Sequence, residues 1–216
     1  MEQEGSLSSL LQESSAEIGF PLNSEQVQLF MAYLQQLQTW NQSFNLTSIT
    51  VNEEIVIKHF VDSLAALIAT DIEVGSQLLD VGTGAGFPGI PLKIVRPDLR
   101  ITLLEPAKKK SSFLHFIVGL LRLERVDICD IPLNRFIGMH HVKKSFDYIT
   151  TRALNPALVL REGRSVVRQG GRAILYSSQS IEKSYDFTEW RLINEYTFDL
   201  PGEYGHRTIS IFSLAS

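Results

Sequence analysis

A chain of 216 residues, 44% hydrophobic and 20% charged, can bury one ordinary core with a helical extension; it is too short for two full domains and too apolar for a disordered linker. Its single cysteine, Cys129, excludes an internal disulfide and a cysteine-built zinc site, and no apolar run approaches the roughly 18 residues of a membrane span. The net charge of −4 hides an asymmetry: residues 1–80 set Lys58 against eleven acids, residues 81–172 set sixteen bases against seven acids, and the rest sets three bases against six.

A basic middle between acidic ends suits a protein with one surface turned to a polyanion, or solvated faces that neutralise each other on folding. The N-terminus carries Glu2 and Glu4 and lacks the basic start and apolar middle of a signal peptide, so a cytoplasmic protein with no membrane contact is expected. A monomer is the default expectation.

The first 75 residues read as helical. Asn23 and Ser24 can cap a helix with Val27, Phe30, Met31, Leu34 and Leu37 at spacings of three and four, and Gln26 stands in the capping-box position. Turn residues from Asn41 to Thr50 end it. Asn52 is expected to cap a second helix, with Glu53 and Glu54 in its first turn and Ile57, Phe60, Val61, Leu64, Leu67 and Ile68 on one face, before Gly75 closes the region.

From Gln77 the period changes. Short apolar runs at 77–81, 100–105, 125–130, 146–151 and 172–177 alternate with a glycine-rich turn and its helix, the segment Ala107–Leu123, an irregular stretch, and a helix Asn155–Arg168. In the last of these Asn155 caps and Pro156 takes the first helical position. The repetition of strand, crossover and strand predicts an α/β fold with a largely parallel sheet covered on both faces. Arg191–Leu200 and Arg207–Leu214 read as a hairpin around Pro201–Gly205. The division expected is a helical extension over 1–75 and a sheet domain over 76–216, forming one unit.

The segment Leu78–Ile94 (LLDVGTGAGFPGIPLKI) carries the chemistry. A buried strand runs into Asp80, then Gly82, Gly84 and Gly86 let the backbone turn sharply and admit a ligand where a Cβ would intrude. A dinucleotide site wants its third glycine at position 87, which is Phe87. An aspartate two places before the first glycine repels a pyrophosphate and suits an ammonium group, which favours S-adenosyl-L-methionine over a nicotinamide cofactor. Glu105, at the end of the next strand, can accept two hydrogen bonds from ribose hydroxyls, with Pro106 and Ala107 beside it.

The run DVGTGAGFPGIPLKIVRPDLRITLLEPAKKKSSFL resembles the 16S ribosomal RNA guanine-N7 methyltransferases, the glucose-inhibited division protein B family. Asn45-Leu46-Thr47-Ser48, Lys58-His59-Phe60-Val61-Asp62-Ser63-Leu64 and Thr151-Arg152-Ala153 match other segments of that family. The resemblance implies a Rossmann-like class I S-adenosylmethionine-dependent fold, seven strands mostly parallel with an antiparallel C-terminal hairpin strand, behind an N-terminal helical extension. It implies Gly82 and Phe87 at the cofactor, Glu105 on the ribose, Leu133 and Asn134 near the adenine, and Arg152 at the mouth of the site. The expected partner is 16S ribosomal RNA or the small subunit, and the product S-adenosyl-L-homocysteine. Two segments depart from the family: Pro132-Leu133-Asn134-Arg135 replaces an Arg-Ala-Glu-Glu-like stretch, and Tyr176-Ser177-Ser178 replaces Leu-Lys-Gly.

Guanine N7 already presents a lone pair, so its methylation needs placement rather than a base. Arg152 is then a candidate to grip a phosphate or the guanine edge, and Asp62 to offset the positive charge that arises on the purine. Lys58, His59, Lys108, Lys109 and Lys110 are candidate RNA contacts; the three consecutive lysines open a helix, where the dipole disfavours them. Cys129 lies in an apolar run and reads as a buried core residue rather than a nucleophile. Asn155-Pro156-Ala157 has half of an amine-methylating motif and sits too late. His140 and His141 diverge on any regular element, and no metal is expected. Two readings stay open: a diverged methyltransferase acting on another RNA, a protein or a small molecule, and a non-catalytic cofactor-binding module associated with RNA.

Overall fold

The computed structural model describes residues 2–152, 154–181 and 189–215; Ala153, the last residue of the Thr151-Arg152-Ala153 match, lies outside them. Helix α1 (Glu2–Glu17) buries Leu7 and Leu11. Helix α2 (Ser24–Phe44) starts on the capping box its spacing predicts: Gln26 N–H donates to Asn23 Oδ1 at 2.9 Å, and Asn23 N–H to Gln26 Oε1 at 3.0 Å. It buries Val27, Phe30, Tyr33, Leu34 and Leu37 and continues to Phe44, into the stretch read as a loop, before Asn45 stops it in the left-handed conformation (φ 50°).

The next helical region differs from its expected form. Asn52 is the first residue of α3 (Asn52–Ile55) rather than its cap, and its side-chain oxygen accepts from Gln38 Nε2 on α2. The helix widens into a π-helical segment, Val56–Val61, and continues through α4 (Asp62–Leu64) and α5 (Ala66–Ala69). Val56, Ile57, His59, Phe60 and Val61 are all buried, so this stretch is enclosed except at Lys58 instead of presenting one apolar face. Wide turns of this kind concentrate at functional sites, and this one carries Lys58 and His59 and leads into Asp62.

The sheet is built from β1 (Gln77–Val81), β2 (Arg100–Leu104), β3 (Val126–Cys129), β4 (Phe146–Thr151), β5 (Val167–Ser177), β6 (Trp190–Asp199) and β7 (His206–Leu214). Their order is β3-β2-β1-β4-β5-β7-β6. The first five run parallel, and β7 inserts antiparallel between β5 and β6, as the predicted hairpin requires. Connecting them are α6 (Gly89–Val95), α7 (Lys108–Leu120), the short α8 (Leu133–Phe136) and α9 (Pro156–Gly163). Asn155 Oδ1 caps α9 by accepting from Ala157 N–H at 2.9 Å. The helix ends at Gly163, short of Arg168: Val166 and Val167 are fully buried, and β5 begins by pairing Val167 with Phe146.

Alternation along β1 divides the core. Leu78 joins an apolar cluster with Phe30, Phe60 and Phe113, whereas Leu79 joins a second with Ile149, Val159 and Leu175. Cys129 is half-buried rather than enclosed, because β3 is an edge strand; it packs against the second cluster, and burial pushes its thiol up from the usual value. Among the described residues no helix is long and apolar enough to cross a membrane. Chain order reverses between β1 and β4, so the crevice beyond their carboxyl ends is the place where an open α/β sheet binds ligands.

Candidate active site

The glycine turn leaves β1 at that crevice, held by Gly82 and Thr83 N–H, which both donate to the Leu104 carbonyl at 2.9 and 3.2 Å. Gly82, Gly84 and Gly86 all have positive φ (68°, 64° and 109°), a region that costs other residues strain. Their surroundings differ. A Cβ on Gly82 would lie 2.8 Å from the Leu154 side chain, one on Gly86 would lie 2.6 Å from the Tyr33 hydroxyl, and one on Gly84 would enter open space. Tyr33 also donates to the Ala85 carbonyl, so α2 clamps the turn from behind.

Asp80 was expected to meet an ammonium group. Its carboxylate lies beneath the loop, fully buried, where Oδ2 accepts from Thr83 Oγ1 at 2.6 Å and from Gly89 N–H at 2.8 Å while Oδ1 has no hydrogen bond. Burial pushes this carboxyl up to about 6. Its role in the fold is to tie the start of the turn to the start of α6. Glu105 lies across the crevice, with Oε2 accepting from Gly84 N–H and Oε1 from Ala107 N–H, both at 2.9 Å. A carboxylate oxygen accepts more than one hydrogen bond, so capacity remains on both atoms.

Between these groups lies a cavity of about 560 Å³. Gly82, Gly84, Phe87, Glu105, Pro106, Leu133, Asn134 and Arg152 line it, as the sequence proposes; Asp80, Gly86 and Ala107 do not. Leu154, Leu158 and Glu162 also line it, with Leu154 packed against Gly82. Lys110 reaches the rim, while Lys108 and Lys109 point to solvent beyond it.

Arg152, just past β4, organises the far end. Its guanidinium donates from Nη1 to the Lys58 carbonyl at 3.0 Å and from Nη2 to His59 Nδ1 at 2.8 Å, and its central carbon lies 5.1 Å from the Phe87 ring centre. His59 stacks on the same ring at 4.5 Å. Nδ1 faces both the Arg152 donor at 2.8 Å and the Lys58 carbonyl at 3.2 Å; the closer guanidinium, which can only donate, makes Nδ1 the acceptor, and the proton on Nε2 goes to Thr47 Oγ1 at 2.9 Å. Burial, then the charge of Arg152, push His59 down to about 3. Its ring nitrogens are therefore expected to hold neutral Nε2–H chemical shifts throughout pH 5–8 in a nitrogen-15 titration; a titrating midpoint within that window would contradict this arrangement.

Asp62 is 3% exposed and lies between two guanidiniums, 3.4 Å from Arg152 Nη1 and 3.5 Å from Arg207 Nε. These are ion-pair distances, yet Oδ1 has no hydrogen bond, and burial pushes the carboxyl up against the pull of both cations. A second hollow of about 290 Å³ adjoins here, lined by Lys58, Asp62, Tyr176, Ser177 and Arg207 and sharing His59 and Arg152 with the first. Arg207, Tyr33, Leu154 and Leu158 have no counterpart in the sequence reading. Arg207 is the clearest case: it follows a hairpin turn with no local motif, and only the insertion of β7 beside β5 brings it to the site. His140 and His141 sit exposed on a short turn away from both hollows.

A family model described as GidB, rRNA small subunit methyltransferase G, matches residues 26–200. The ribosomal RNA small subunit methyltransferase G of Caldanaerobacter subterraneus subsp. tengcongensis is 40% identical over 177 residues, 82% of this chain and 74% of that one. Its counterpart from Carboxydothermus hydrogenoformans is 34% identical over 205 residues, covering 91% and 87%. Among solved structures, TrmN from Thermus thermophilus superposes with a TM-score of 0.57 at 14% identity, over 71% of this chain and 48% of that chain. TYW2 of P. horikoshii, in complex with MeSAdo, gives 0.56 at 11% identity over 73% and 63%. These likenesses are of fold.

Proposed function

The chain belongs to the GidB family, the rRNA small subunit methyltransferases G, and from that premise we propose that it transfers a methyl group from S-adenosyl-L-methionine to N7 of a guanine in 16S ribosomal RNA. The observation that carries this reading is the pair of adjoining hollows that share Arg152 and His59, one walled by glycines and ending in Glu105, the other rimmed by cations.

The first hollow fits the donor. Gly84 faces open cavity at a φ that disfavours a side chain, which is a cradle for close approach to its backbone. Glu105 would hold the ribose hydroxyls with its remaining acceptor capacity, and Leu133 and Asn134 would flank the adenine. When bound, S-adenosylmethionine supplies a methyl group on a cationic sulfur, open to in-line displacement.

The acceptor side needs no proton removed, and the residues agree with that demand. His59 is neutral, but its Nδ1 is occupied by Arg152 and its Nε2 proton by Thr47, so it orients Arg152 rather than acting as a base. Arg152 presents a planar donor to the guanine edge or its phosphate. Asp62 places negative charge near the purine as N7 becomes cationic. The contribution of the protein is placement, exclusion of water and charge. Lys58 and Lys110 stand at the rims, where they would meet phosphates.

Mass spectrometry of small-subunit RNA from a strain lacking the gene tests this. A missing 7-methylguanosine, restored by the intact gene, is expected; a full complement in the deletion strain overturns the guanine-N7 reading.

A further inference from the structure

Beside the rim of the large cavity, α2 and α7 expose an apolar strip that neither hollow uses. Phe44 and Phe116 are 39% and 40% exposed, and Leu120 extends the strip at 48%. Half-buried Trp40 joins the two rings, 5.4 Å from Phe44 and 5.3 Å from Phe116 between centres, and rests on buried Phe113. Lys109 Nζ lies 5.7 Å from the centre of the Phe44 ring. The strip adjoins the site in sequence as well: Leu46 and Lys110, which line the cavity, flank Phe44 and open α7.

Charge identifies the occupant. No residue from Gln26 to Asn52 is charged, and no acid lies between Glu105 and Glu124, in a chain that otherwise holds 24 acids. Both segments that build the strip are thus free of negative charge, and one contributes Lys108, Lys109 and Lys110, none of which forms an ion pair among the described residues. Exposed rings beside unpaired cations suit single-stranded nucleic acid, whose bases stack on the rings while phosphates meet the lysines. Resting on the proposed function, we infer that Phe44, Trp40 and Phe116 form a stacking platform for unpaired bases of the RNA strand flanking the acceptor guanine.

The full-length protein would be titrated with a fluorescent short oligouridylate by anisotropy at several salt concentrations. That probe offers bases and phosphates but no guanine, so its binding is independent of whether N7 is the methyl acceptor. A Phe44→Ser, Phe116→Ser double variant is expected to bind about tenfold or more weakly with an unchanged salt slope, since stacking releases no counterions. Lys108→Gln with Lys109→Gln should instead flatten the slope by about 0.7 per lysine. Both rings are exposed, and thermal melting checks that the variants stay folded. A Phe44→Leu, Phe116→Leu variant keeps the apolar area without π-faces and should bind as weakly as the serine pair. Wild-type oligouridylate affinity in the serine variant, or full affinity in the leucine variant, overturns the platform. The first result combined with lost binding to a small-subunit ribosomal protein would assign the strip to a protein partner and overturn it equally.

Discussion

A Gly82→Asp variant is expected to bind S-adenosylmethionine at least about 100-fold more weakly, as calorimetry would measure it. Three effects act together. At φ +68° the backbone sits where a side chain carries a strain of roughly 1–2 kcal/mol. The new Cβ would lie 2.8 Å from Leu154 Cδ1 and force that leucine deeper into the cavity. A carboxylate there would also add negative charge beside Glu105 in a partly desolvated cleft. The loop should still form, because Gly82 N–H keeps its bond to the Leu104 carbonyl. The loss should therefore appear in affinity with the melting temperature lowered only modestly. Undiminished binding would move the donor away from the glycine turn.

Replacing Arg152 should damage activity and stability separately. Arg152→Ala leaves Asp62 buried with Arg207 as its only cation; breaking a buried pair costs about 3–5 kcal/mol. With Arg152 also goes the charge that lowers both Asp62 and His59, so both groups would titrate higher. A carboxyl whose folded value lies above its unfolded one binds more protons when folded. Stability through Asp62 is then lost as pH rises from the ordinary value near 3.8 through its raised value. Unfolding by urea should accordingly show a steeper loss of stability as pH rises above about 3.8 than in the wild type. Adding Asp62→Asn removes the orphaned charge and should recover much of the stability without recovering methyl transfer. Arg152→Lys keeps a charge near Asp62 but lacks the planar fork that spans the Lys58 carbonyl and His59 while lying over Phe87. We expect its turnover to fall about 100-fold or more with the fold largely retained. Near-normal turnover in the lysine variant would show that the geometry of the guanidinium is not used.

Periodicity exposed the parts of this protein governed by local rules. The capping box at Asn23 and Gln26, the five parallel strands and the hairpin each depend on residues close in sequence, and each forms where its spacing predicts. Elements under tertiary control were less legible. Val166 and Val167 are drawn into the second apolar cluster and convert the expected end of α9 into the start of β5. The stretch 55–61 is buried except at Lys58, because α1 packs along it and Phe60 meets Phe30 and Tyr33 of α2, so a one-faced helical pattern describes it poorly and gives no sign of the π-turn. In the site, the glycines and Glu105 follow from sequence because a turn with positive φ constrains residue type and the end of β2 lies beside the end of β1, where Glu105 accepts from Gly84 N–H. For Asp80, sequence shows an acid near the glycine turn but not which way its carboxylate turns; the Thr83 and Gly89 donors hold Oδ2 beneath the loop and leave Oδ1 without a hydrogen bond. Arg207 and Tyr33 stand far in sequence from the glycine turn and reach the site only through sheet order and helix packing.

The most direct measurement incubates the purified protein with methyl-labelled S-adenosylmethionine and small ribosomal subunits from a strain lacking the gene, then digests the RNA and identifies the labelled nucleoside. Label confined to 7-methylguanosine of 16S ribosomal RNA, and entering at a rate about 100-fold or more lower with the Arg152→Lys protein, is the predicted result. Label in any other nucleoside or in ribosomal protein, or none from protein that binds the donor, would contradict it.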